Sequence, residues 1–149
     1  MFRHILFPTD GSTLSQRAAK VAVELAKSCG ARLTVVHAIA PFSPPAFGEG
    51  MLPYPEIYSP EEYKRVTLKA AQAMLEKIEA SAKEAGIACD SAILDAPAPW
   101  KGIVEAARTR HCDLVVMASH GRKGLEGLVL GSETHKVLTH SKTPVLVCR

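Results

Sequence analysis

Five short apolar runs alternate with helical patterns along this 149-residue chain, and that alternation most constrains its fold. The runs lie at 4–7, 33–39, 88–94, 114–117 and 145–148. The third run is weaker than the others, whereas the fourth has no polar alternation, which is typical of a parallel strand covered on both sides. Strands alternating with helices predict an α/β fold with right-handed crossovers and helices on both faces of an open, mostly parallel sheet. We expect one Rossmann-like domain over residues 1–149, with strand order 3-2-1-4-5.

Helix boundary signals support this reading. Apolar residues repeat at helical spacing from Leu14 to Cys29 and end at Gly30, a residue that favours a left-handed cap. Ser59 and Glu62 form a capping box with Pro60 at the first helical position. Two further helices are predicted at about 99–110 and 132–140.

Composition excludes several classes of function. A net charge of +3 without a Lys/Arg run argues against nucleic acid, and no apolar run approaches the ~20 residues of a membrane span. There is no secretory signal pattern at the N-terminus. The four cysteines contain no C-x-x-C pair, and His135 and His140 lie off one helical face, so no metal site is expected. A reduced, cytoplasmic setting fits these features.

The motif that carries the functional prediction follows the fourth run. Ala118 comes at its end, nine residues separate Gly121 from Gly131, and Ser132 opens a predicted helix. Glycines let the backbone approach a ligand, and a helix start offers N–H groups and a positive dipole end to an anion. The sequence therefore predicts a phosphate-binding loop in a nucleotide-binding module.

Individual side chains in this loop have two interpretations each. Ser132 is either a helix cap or a phosphate ligand. Ser119 and His120 either bond the local backbone or contact phosphate, and Arg122 and Lys123 either add positive charge or are solvated.

A second loop, Pro8 to Ser12, follows the first strand. In the expected strand order the first and fourth strands are neighbours at the switch point, so both loops flank one crevice. Asp10 could accept hydrogen bonds from a nucleoside or help hold a cation near phosphates. Alternatively, Asp10 or Ser12 caps the first helix.

Residues 40–59 form an unusually long connection that contains five prolines. Segments of this length are usually functional or disordered. This segment is either a lid or a surface that binds a partner, or a mobile connection without a functional role.

The chain resembles the universal stress protein family over essentially its whole length. The matching pieces are 5–12, 33–39, 113–122, 130–132 and 143–147. The ATP-binding branch of that family has a loop of form Gly-x2-Gly-x9-Gly-Ser/Thr, which Gly121, Gly131 and Ser132 match. Ala118 replaces the first glycine.

The resemblance implies an adenine-nucleotide site and a dimer. Residues near the nucleoside would be Pro8, Thr9, Asp10, Ala38 and Met117. Residues around the ribose and phosphates would be Ala118, His120, Gly121, Arg122, Gly131, Ser132, Glu133 and Thr134. The cofactor would be ATP, with or without Mg²⁺ or Mn²⁺, and the homodimer would form through the last strand. Independently, the apolar edge 145–148 favours pairing with another strand.

Three functions are weighed on this basis. The leading one is a stress-response protein that binds ATP as a regulatory dimer and hydrolyses it slowly at most, since the Walker sequence is absent. The second is a dimeric scaffold that binds no nucleotide, which the alanine at 118 favours. The third is a hydrolase using Ser119, whose surroundings only partly match a nucleophile elbow.

Overall fold

The computed structural model describes residues 1–39, 41–42, 59–121 and 130–149. Its strands and helices alternate as the sequence predicts. The strands are β1 (His4–Pro8), β2 (Arg32–Ile39), β3 (Cys89–Asp95), β4 (Leu114–Ala118) and β5 (Val145–Cys148). The helices are α1 (Thr13–Cys29), α2 (Pro60–Glu84), α3 (Pro99–Thr109) and α4 (Ser132–His140).

The sheet has the order β3-β2-β1-β4-β5, and every neighbouring pair is parallel. The predicted α/β fold, its strand order and its Rossmann-like architecture are therefore confirmed. The chain builds β2 and β3 on one side of β1, then returns to place β4 on the other. The carboxyl ends of β1 and β4 thus flank the switch point, where ligands bind in folds of this kind.

Alternating side chains of the strands build a core on each face of the sheet. Ile5 and Phe7 pack with residues of α1 and α2, whereas Leu6 packs with residues of α3 and α4. This is the period-2 alternation of a strand that is buried on both sides.

The predicted helix caps are present. Gly30 adopts φ +63° after α1 and Gly86 adopts φ +78° just beyond α2, the left-handed backbone that favours glycine. Ser59 accepts a hydrogen bond from the Glu62 amide at 3.1 Å, so the cap of α2 also forms. Among the described helices, none is long and apolar enough to cross a bilayer.

A polar network centred on the buried residues His4 and Thr34 lies at the amino edge of the sheet, opposite the switch point. Arg32 donates from Nη2 to His4 Nδ1 at 2.9 Å, and because a guanidinium cannot accept, the imidazole proton must lie on Nε2. That proton is donated to Thr34 Oγ1 at 2.8 Å, and the threonine hydroxyl donates to Asp90 Oδ1 at 2.7 Å. Cys112 contacts the same ring, and burial raises the pKa of its thiol to about 11. The network therefore requires a neutral His4.

Because the network needs a neutral His4, we expect acid to destabilise the folded protein. Burial and the adjacent Arg32 charge lower the pKa of His4 below 6.5, so the unfolded chain binds this proton more readily than the folded one. The stability it contributes is present above about pH 6.5 and is lost as pH falls through the lower folded-state pKa. We expect the urea midpoint to drop from pH 7.5 to pH 5.0 by less in His4→Gln than in the wild type. The exposed-residue variant His135→Gln should keep the wild-type drop, and equal drops in all three proteins would contradict the assignment.

Candidate functional site

The loop after β1 is a tight turn that leads into α1. Gly11 adopts φ +76°, and Asp10 Oδ1 accepts a hydrogen bond from the Ser12 amide at 3.0 Å. Ser12 Oγ in turn accepts from the Ser15 amide at 3.2 Å and caps the helix. Thr9 Oγ1 lies 2.8 Å from Ser15 Oγ and fixes the turn to the first turn of α1. Of the two predicted candidates, Ser12 is the cap, and the Asp10 carboxylate braces the turn at the sheet edge.

The loop after β4 fastens the start of α4 to the tip of that strand. The Gly131 amide donates to the Ser119 carbonyl at 2.8 Å, and the Thr134 hydroxyl donates to the Ala118 carbonyl at 3.0 Å. Gly131 is the N-cap residue of α4, and no side chain among the described residues caps this helix. Ser132 is the first helical residue and not the cap. The first amides of α4 therefore remain as donors for a ligand.

At two glycines of the motif, an added Cβ would come closer to its neighbours than ordinary van der Waals contact allows. A Cβ on Gly121 would lie 2.6 Å from Asp10 Oδ2. A Cβ on Gly131 would lie 3.1 Å from the Ser119 carbonyl oxygen and 3.3 Å from His120 Cα. Gly121 thus lies against the Asp10 side chain of the first loop, and Gly131 lies against the main chain at the tip of β4.

Ala118, the departure from the family motif, is compatible with this geometry. The φ of Ala118 is not positive: among the described residues, His111 is the only non-glycine residue with a positive φ. Ala118 packs in the core cluster beneath α1, whereas its neighbour Met117 packs in the cluster beneath α3 and α4. The methyl group of Ala118 therefore points away from the side of the sheet on which the crevice lies.

A cavity of about 560 Å³ occupies the crevice, a size typical of small-molecule sites. It brings together all of the predicted site residues that the structure describes: Pro8, Thr9, Asp10, Ala38, Met117, Ala118, His120, Gly121, Gly131, Ser132, Glu133 and Thr134. Arg122 lies outside the described residues, as do Lys123 and residues 43–58 of the long connection.

The cavity also contains residues that sequence reasoning missed: Ser15, Val36, His37, Pro99 and Ile103. His37 is fixed by a 2.7 Å hydrogen bond in which Nδ1 donates to the Thr9 carbonyl. Its place at the end of β2 could have suggested it. Pro99 and Ile103 come from the first turns of α3, and no local signal brings that helix to the cavity.

The charged side chains lining the cavity are acidic. Among its described lining residues there are two carboxylates, Asp10 and Glu133, and neither lysine nor arginine. Glu133 Oε2 accepts a hydrogen bond from the Trp100 amide at 2.9 Å, and so caps α3 from α4. The described residues contain no group of three or more metal-ligating side chains. Within this part of the chain, an anion would be held by main-chain amides and the dipole of α4.

Ser119 and His120 form a pair that superficially resembles a nucleophile and its base, with Oγ 3.0 Å from Nδ1. The serine is only 2% exposed, and its amide donates to the Cys148 carbonyl at 2.7 Å. A substrate carbonyl cannot reach this hydroxyl, which argues against the hydrolase interpretation.

A second cavity of about 550 Å³ lies between α1 and α2 and shares Thr9 and His37 with the first. Lys20 and Lys77 line it. The helix that starts beside this cavity, α1, is capped by the Ser12 side chain. Its first turn therefore offers an anion fewer free amides than the first turn of α4 does. The crevice at the switch point is the better phosphate site.

Sequence comparison connects this geometry to known proteins. The sequence pattern of the Universal stress protein family matches residues 1–149. A universal stress protein of Thermus aquaticus, encoded in the QAH/OAS sulfhydrylase 3′ region, is 38% identical over 150 residues, which cover 100% of both chains.

Solved structures of universal stress proteins are also similar to this chain. The Methanocaldococcus jannaschii protein MJ0577, whose structure was described as a structure-based assignment of biochemical function, is 28% identical with a TM-score of 0.77. The match covers 99% of this chain and 96% of that one. A universal stress protein solved in complex with cAMP is 26% identical with a TM-score of 0.70, over 99% and 97% of the two chains. This chain therefore belongs to the universal stress protein family.

Proposed function

We propose that the protein binds an adenine nucleotide, ATP among them, in the crevice between β1 and β4. The observation that carries the proposal is the start of α4, which no described side chain caps. It is fastened to the tip of β4 beside Gly121 and Gly131, where a Cβ would be crowded. Amides so placed form an anion site without basic side chains. The relative solved with cAMP supports an adenine nucleotide as the ligand class.

The base and the phosphates would occupy opposite parts of the cavity. Pro8, Ala38 and Met117 offer apolar surface for the base and ribose. Gly121, Gly131 and the first turn of α4 would receive the phosphates. The Asp10 carboxylate is a ligand type that Mg²⁺ and Mn²⁺ accept, so Asp10 is the residue that would help hold such a cation near the phosphates.

The proposed role is nucleotide-dependent regulation in a cytoplasmic stress response, with ATP hydrolysis slow at most. The absence of a Walker sequence supports slow hydrolysis. The scaffold alternative depended on Ala118, and the orientation of that methyl group removes its main support.

Isothermal titration with ATP and Mg²⁺, together with mass spectrometry of the gently purified protein, tests the proposal. We expect saturable micromolar binding and a co-purifying adenine nucleotide. Absence of both heat and thermal stabilisation would favour the scaffold.

We also propose a homodimer through the edge of β5. The exposed residue Leu146 adds apolar surface to this short edge strand. The carbonyls of Pro144 and Cys148 accept from β4, so by strand alternation the amides of Val145 and Val147 face outward. Those outward groups can pair with the same strand of a second copy across a two-fold axis.

Val147→Pro should therefore convert the dimer to a monomer, because proline removes an outward amide and leaves the pairing with β4 intact. Sedimentation velocity measures the outcome, with Val147→Thr as the control that keeps the amide. A Val147→Pro protein that remains folded and dimeric would contradict pairing through this edge.

A further inference from the structure

Glu133 places a negative charge in the first turn of the helix whose amides would bind phosphate. Its side chain is 37% exposed, and it lines the same cavity as Gly131 and Ser132. A carboxylate here already interacts favourably with the positive end of α4, the interaction that a phosphate would also use. Glu133 and a bound phosphate would therefore compete for the same favourable interaction with the positive end of the α4 dipole.

Glu133 cannot readily turn away from the site. Its Oε2 accepts from the Trp100 amide at 2.9 Å, an amide of α3 for which the N-cap residue Ala98 supplies no side-chain acceptor. Its Oε1 lies 3.4 Å from Lys136 Nζ, one turn further along α4. Removing the carboxylate from the cavity would leave the Trp100 amide without this acceptor, which disfavours the change.

Among the described residues, the negative charge of Glu133 is only weakly compensated by positive side chains. The Lys136 partner is 45% exposed, and ion pairs of that kind are screened by solvent. No lysine or arginine is among the described residues that line the cavity. Each additional negative charge on a ligand would thus be repelled by Glu133, and no basic side chain among the described lining residues offsets that repulsion.

We propose that Glu133 sets the phosphate-charge specificity of the site by penalising highly charged nucleotides relative to monophosphates. The inference rests on the proposed function and deepens it, because it names the ligand property that the site discriminates. Glu133 is a specificity-determining residue that α3 holds in position.

The test compares ATP and AMP binding to the wild type and to Glu133→Gln, without divalent cations and at low salt. Glutamine removes the charge but keeps a carbonyl that can accept from the Trp100 amide. We expect metal-free ATP to bind about three- to tenfold more tightly to the variant and AMP to change by less than about twofold, a difference that shrinks in high salt.

Two controls separate charge from structure. Glu105→Gln makes the same change in net charge on the exposed face of α3, where Glu105 pairs with Arg108 at 2.6 Å, and it should leave both affinities unchanged. Glu133→Ala removes the acceptor as well. It should change the emission of Trp100, the single tryptophan, which lies 4.5 Å from the His140 ring.

The outcomes distinguish this inference from the function on which it rests. A wild type that binds neither nucleotide overturns both. Binding of both nucleotides with an unchanged ATP-to-AMP ratio in Glu133→Gln overturns only the charge discrimination. If the variant instead weakens ATP binding only when Mg²⁺ is present, Glu133 is a cation ligand and the inference is wrong.

Discussion

Gly131→Val is expected to abolish nucleotide binding, with a loss of affinity of at least about 100-fold. The first carbon of any side chain at this position would already lie 3.1 Å from the Ser119 carbonyl oxygen. The two further methyl groups of valine must extend into the tip of β4 or into the cavity. Extension toward β4 separates the start of α4 from the Ser119 carbonyl, which accepts the Gly131 amide at 2.8 Å. Extension into the cavity fills the space that the phosphates would occupy. Isothermal titration with ATP measures the loss.

The matched control is Ala118→Gly, which restores the family motif. Because the Ala118 methyl packs beneath α1, its removal should change nucleotide affinity by less than about threefold and cost roughly 1 kcal/mol of stability. A urea titration of both variants shows whether Gly131→Val remains folded. Undiminished ATP binding by folded Gly131→Val would remove this loop from the site. A large gain in affinity for Ala118→Gly would show that the alanine obstructs the ligand.

Gly121→Ala is expected to weaken nucleotide binding about tenfold or more through a collision with Asp10. The added methyl carbon would lie 2.6 Å from Asp10 Oδ2, closer than real Cβ atoms come to other heavy atoms. The backbone at Gly121 needs no positive φ, so alanine itself adds no conformational strain there. The Asp10 carboxylate must rotate away, which disturbs its hydrogen bond from the Ser12 amide and its place in the cavity.

A double-mutant cycle isolates this effect. In an Asp10→Gly background the carboxylate is absent, and adding Gly121→Ala should then cost little more than Asp10→Gly alone. The quantities compared are ATP affinity and urea midpoint for the four proteins. Additive losses would mean that alanine at 121 acts on the ligand directly, without displacing Asp10.

The architecture was predictable because it depends on local patterns. The apolar runs for β1 and β4, the capping residues at Gly30 and Ser59, and the strand order all follow from periodicity and the rules of parallel sheets. The two ligand-side loops were predictable for the same reason, since the carboxyl ends of neighbouring parallel strands share one edge.

What the sequence left open depends on contacts between distant segments. Whether Asp10 or Ser12 caps α1 depends on side-chain direction, and the bond from the Trp100 amide to Glu133 joins residues 33 positions apart. The His4–Thr34–Asp90 network likewise joins three strands whose polar residues look unremarkable one by one. Ala118 could be judged only when its φ and its packing were known.

In the proposed complex, main-chain amides at the tip of β4 and the start of α4 hold the phosphates. Titration of ¹⁵N-labelled protein with ATP tests it most directly, because each amide reports separately. We expect the largest chemical-shift changes on Gly121 and on residues 131–134, and we expect AMP to shift fewer of these amides than ATP. Saturable binding whose largest shifts instead fall on Lys20, Lys77 and the α1–α2 cavity, with residues 131–134 unmoved, would contradict it.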